Sequence, residues 1–104
     1  MKIILTNVPP DRAEEIVRIL VEEHYVACVN FYPVQSVYSW KGKVCVDQEV
    51  TLMMKVAIHG VEALKKRIQE LHSYELPEII ALDVDTQASL EEYVQFVRQE
   101  TWQR

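Results

Sequence analysis

The stretch SVYSWKGKVCVDQEVTLMMKV, Ser36–Val56, carries a single glycine and no helical spacing of apolar residues. If Lys41-Gly42 is a two-residue turn, with Gly42 supplying a positive φ, opposed residues have numbers that sum to 83. Ala27 then faces Val56, Val29 faces Met54, Phe31 faces Leu52 and Val37 faces Val46, so one face of a long hairpin is apolar on both strands. A slip by one residue destroys that match. Pro33, opposite Val50, interrupts the ladder and predicts a bulge there. The other face pairs Cys28 with Lys55, Asn30 with Met53, Tyr32 with Thr51, Val34 with Glu49, Ser36 with Asp47 and Tyr38 with Cys45. It is too apolar for a plain solvent face.

Outward from the hairpin, the other elements follow from periodicity. Lys2–Val8 is a short β-rich run stopped by Pro9-Pro10. Asp11 and Glu14 have the capping-box spacing that starts a helix running to about His24. After His59-Gly60, Val61, Leu64, Ile68 and Leu71 form the stripe of a second helix. Leu76–Val84 reads as a strand. Ser89 with Glu92 is a second capping box, opening a third helix that carries Leu90, Tyr93, Val94, Val97 and Thr101.

The order strand, helix, strand, strand, helix, strand, helix is two strand-helix-strand halves joined at a hairpin. That is the split βαβ, ferredoxin-like arrangement: α+β, with an antiparallel four-stranded sheet, helices on one face and one added C-terminal helix. The runner-up is another α+β sandwich with a different strand order. Strands of this length exceed the usual ~5 to 6 residues, so the tip bearing Tyr38 and Trp40 projects beyond the helices as an arm that grips a neighbour.

The 104 residues suit one domain, 1–104, with an ordinary soluble balance of 49% hydrophobic and 26% charged residues. Net charge is -5, without a basic stripe, which argues against nucleic acid as a partner. The opening residues are too short an apolar run for a signal peptide or a membrane span, so the expected location is the cytoplasm. Cys28 and Cys45 are expected as free thiols. In the register above they lie roughly 30 Å apart and cannot share one ion.

The motifs ACVN (Ala27–Asn30), SVYSWKGKV (Ser36–Val44), Glu49 with Lys55, and HSYELPEII (His72–Ile80) together resemble the CutA family of divalent cation tolerance proteins, over nearly the whole chain. Ser73 stands where that family usually has proline, and TQASLEEY lacks a glycine often found there. The resemblance implies a homotrimer whose hairpins reach onto neighbours, similar to the trimers of PII signalling proteins. It places Tyr38, Trp40, Glu49, Lys55, Tyr74 and Glu78 around an inter-subunit cleft, where salt-bridged interface residues are the plainer reading.

Metal chemistry centres on His72, with Glu75 and with Cys28 as a soft ligand; Tyr74 and Glu78 are near in sequence. Copper or zinc would be weakly held there and completed by another chain, and no cofactor is obligatory. The plain structural alternative is that His72 ends the second helix. His24 and His59 read as surface or loop histidines. The chain has only two glycines and shows neither a nucleophile elbow nor an acid/base pair at a recognisable spacing, so an enzyme is not expected. The expected function is divalent cation tolerance through a non-catalytic metal-binding trimer. The alternatives are a PII-like sensor of a small ligand and a purely structural trimeric module.

Overall fold

A computed structural model describes all 104 residues. The elements are β1 (Lys2–Val8), α1 (Ala13–Glu22), β2 (Cys28–Trp40), β3 (Lys43–Val56), α2 (Val61–Leu71), β4 (Ile80–Asp83) and α3 (Glu91–Glu100), with short 3-10 turns at Pro10–Arg12 and Ile58–Gly60. They form one antiparallel sheet in the order β2-β3-β1-β4, the ferredoxin-like order.

The hairpin ladder runs from Cys28 opposite Lys55 to Trp40 opposite Lys43, every pair summing to 83. Lys41 (φ 51) and Gly42 (φ 79) are both left-handed, the backbone that a type I′ turn requires. Pro33 stays in register with Val50, and the expected bulge is absent. The reason lies in the turn. Trp40 and Lys43 flank it as a hydrogen-bonded pair, so odd-numbered residues of β2 fall at non-hydrogen-bonded positions and their nitrogens point away from β3. Because β2 is the sheet edge, the nitrogen of Pro33 faces no strand and its missing N–H costs no ladder bond.

The core lies between one sheet face and α1 and α2. Ile4, Val8, Leu52, Met54 and Val56 from the sheet meet Ile16, Leu20, Leu64 and Ile68 from the helices. The opposite face, read across the register, places Cys28, Lys55, Ile3 and Leu82 in one row and Asn30, Met53, Leu5 and Ile80 in the next. The helix α3 is not a third member of the core layer. Its Tyr93 reaches Cys28, closing the root of this second face.

Both capping boxes fail. Asp11 sits within the 3-10 turn begun by Pro10, α1 starts at Ala13, and no side chain caps it. Ser89 spends its hydroxyl on the carbonyl of Asp85 (2.7 Å), and α3 starts uncapped after Leu90. The predicted strand Leu76–Val84 contracts to β4; just before it, Glu75 is drawn to Lys41 at the hairpin tip rather than into line with β1.

Candidate functional site

The segment after α2 is fixed first to β1 and then to the hairpin by polar contacts. At its start, His72 Nε2–H donates to the carbonyl of Asn7 (2.7 Å), and the Tyr74 N–H donates to His72 Nδ1 (3.2 Å). A carbonyl only accepts and an amide N–H only donates, so the ring is the neutral Nε2–H tautomer with both nitrogens in use. Burial, the first cause, lowers the His72 pKa below its ordinary 6.5, opposed by the Asn7 hydrogen bond and the Glu49 charge and assisted by Arg12. Tyr74 tilts against the His72 ring at 4.7 Å. Further on, Glu75 pairs with Lys41 at the hairpin tip (3.3 Å), and Lys41 also lies over the Trp40 ring.

Glu49 is the centre of the arrangement. Only 7% exposed, it has no cationic partner within the chain. The Tyr74 phenol, whose pKa burial raises first and hydrogen bonding to Glu49 second, is its polar neighbour. Along the same face, Tyr38 donates to Asp47, which with lesser causes pushes its phenol up to about 12. Glu49 also lines a cavity of about 310 Å³ between Pro10, Pro33, Gln35 and Gln48.

Tyr38, Glu49 and Tyr74 are therefore brought together, while the rest of the expected cleft set is dispersed. Lys55 is six positions from Glu49 on β3, roughly 20 Å along the strand, and its ammonium lies against Asn30 and Cys28. Trp40 is at the tip, and Glu78 is exposed with no ion-pair partner. The proposed metal set is equally separated within one protomer: His72 is held by Asn7 and Tyr74, Glu75 by Lys41, and Cys28 lies at the hairpin root beside Lys55 and Tyr93. Nowhere do three His, Cys, Asp or Glu side chains gather as a ligand cluster. Both cysteines are free. His59 Nε2–H donates to the Thr101 carbonyl (2.8 Å), and His24 stacks on Trp102. Sequence reading missed Asn7 and Asp47, whose roles depend on pairings across strands.

The family model for the CutA1 divalent ion tolerance protein matches residues 2–100. The chain belongs to the CutA1 family. It is 39% identical to the divalent-cation tolerance protein CutA of Thermus thermophilus, over 96% of this chain and 97% of that one. The human Protein CutA is 44% identical over 86% of this chain, which spans 49% of the human protein. A structure described as the PII-like protein CutA from Nostoc sp. PCC 7120 in apo form superposes with a TM-score of 0.99 at 62% identity, over the whole of both chains. As a CutA1 member the chain falls among proteins named for divalent-cation tolerance, and its sheet, hairpin and C-terminal helix have the PII-like form of that structural relative. No helix is long and apolar enough to cross a membrane.

Proposed function

We propose that this chain serves divalent-cation tolerance as a non-catalytic cytoplasmic homotrimer that binds divalent cations, copper foremost. One observation supports assembly above all. The sheet face opposite α1 and α2 carries Ile3, Leu5, Met53, Ile80 and Leu82 side by side, and Ile80 and Leu82 are 44% and 45% exposed. A contiguous apolar patch running from β3 across β1 to the edge strand β4 calls for cover, and the long hairpin of a neighbouring copy has the reach to supply it. Light scattering is expected to give three times the protomer mass across dilution. A monomer at micromolar concentration would refute the trimer.

Metal binding requires that assembly. Within one protomer His72, Glu75 and Cys28 do not meet, and any metal at His72 must displace either the Tyr74 N–H or the Asn7 carbonyl from the ring. Weak binding follows, with imidazole, carboxylate and thiol donors suited to a borderline ion such as copper or zinc. Calorimetry with copper(II) is expected to show binding that His72→Ala diminishes. Equal binding by the wild type, His72→Ala and Cys28→Ser would assign any affinity to scattered surface groups.

The second reading is a PII-like sensor that holds a small ligand in the inter-subunit cleft. The buried Glu49, without a cationic partner in the chain and next to the Tyr74 phenol, favours it. A ligand that prefers the folded trimer raises the thermal midpoint, and Glu49→Gln is expected to abolish that rise. A shift unchanged in Glu49→Gln would remove this reading.

A further inference from the structure

At the end of the molecule away from the hairpin tip, a second cavity of about 310 Å³ opens between the end of β3 and α3. Its apolar walls are Met1, Ala57, Ile58, Val94 and Val97; its polar rim is His59 and Arg98, with the Met1 ammonium close enough to feel the Arg98 charge. The cation-tolerance reading uses none of these residues, nor does the Glu49 cleft.

The walls are built to stay in place. Thr101, only 3% exposed, accepts the Ala57 N–H on its hydroxyl (3.1 Å) and the His59 ring N–H on its carbonyl (2.8 Å). Gly60 closes the same turn by donating to the Ala57 carbonyl (2.9 Å), and a Cβ at Gly60 would collide with the Thr101 methyl. The cavity is thus largely preformed, as small-molecule sites usually are.

Its charge is distinctive. Arg12, Arg18 and Arg67 each pair with a carboxylate, and Arg104 donates to main-chain carbonyls; Arg98 has neither kind of partner. The sequence explains why: three and four residues to either side of Arg98 stand Gln95, Val94, Thr101 and Trp102, none of them acidic. In a chain of net charge -5, an unpaired guanidinium on the rim of an apolar cavity is a fork of donors shaped for an anion.

From this cavity and its rim, we infer a binding site for a small aliphatic carboxylate, its head on Arg98 and its tail between Ile58, Val94 and Val97. Hexanoate is the probe, titrated into the native oligomer while backbone amides of 57–60 and 94–98 and the Arg98 side-chain N–H are followed by NMR. Saturable shifts confined to those groups are expected. Arg98→Gln weakens binding at least fivefold. Hexanol, with the same tail and no charge, binds at least fivefold less tightly than hexanoate. Val94→Phe, which fills the cavity, abolishes the shifts. Because Arg98 is exposed, its variant stays folded even if the Val94 variant does not. Equal affinity of Arg98→Gln and wild type, equal affinity of hexanol and hexanoate, or shifts absent from 57–60 and 94–98 would each overturn the assignment.

Discussion

The root and the tip of the hairpin share the same strands, register and alternation, yet they meet different surroundings. At the root, Leu52, Met54 and Val56 are fully buried beneath α1 and α2. At the tip, on the same face of the same strands, Val37, Val44 and Val46 are about two-thirds or more exposed, at 67%, 77% and 68%. Alternation in a sequence records which face of a strand is apolar. It does not record whether the chain itself supplies the cover. The root is covered by helices of its own chain, whereas the tip presents the same chemistry to whatever lies beyond the chain.

The sharpest way to break this comparison is to substitute one residue at each end. Leu52→Ala removes a side chain from a packed core and is expected to cost about 2 to 5 kcal/mol in denaturant unfolding. Val46→Asp puts a charge on the tip face. It should leave protomer secondary structure unchanged by circular dichroism while lowering the mass measured by light scattering. If Val46→Asp retains full assembly, the tip is not a contact and the comparison loses its second half.

A smaller effect sharpens the account of the root. Thr6 is completely buried in the core face of β1, and its hydroxyl has no hydrogen-bond partner. Thr6→Val keeps the shape and removes the orphan, so a gain of about 1 kcal/mol in unfolding free energy is expected. A loss would show that the hydroxyl is satisfied in solution.

The smallest effect concerns the segment beside the hairpin. The His72 pKa is lowered in the fold, chiefly by burial. As pH falls below the ordinary value of 6.5, the unfolded chain binds a proton that folded His72 resists, so stability declines with acidification down to the depressed pKa and levels off below it. Above 6.5 the ring contributes no slope. Thermal midpoints between pH 7.5 and 5 should fall less steeply in His72→Gln than in wild type. Parallel slopes would place the pH sensitivity elsewhere.

Much of this was legible in the sequence because it is local or arithmetic. The Lys41-Gly42 turn fixes the register of thirteen pairs, and helical stripes such as Val61, Leu64, Ile68 and Leu71 locate α2. The separation of Glu49 from Lys55 is also plain from their six-residue spacing on one strand. The capping boxes misled because a spacing specifies only that two residues can cap, while Pro10 and the Asp85 carbonyl offered Asp11 and Ser89 other geometries. The site at His72 was least legible. Its ring is committed to Asn7, 65 residues away in sequence, and no local pattern reveals a hydrogen bond closed by tertiary packing.

The in-register Pro33 carries one more consequence. The free edge of β2 is thirteen residues long, and its outward N–H groups, from Val29, Phe31, Gln35, Val37 and Ser39, form a template on which further strands could stack without limit into a fibre. Proline removes the donor midway between Phe31 and Gln35 and divides that template into two short pieces. The same residue that leaves the hairpin intact within the chain thus works against runaway polymerisation, so that copies of this protein can meet without growing into an endless sheet.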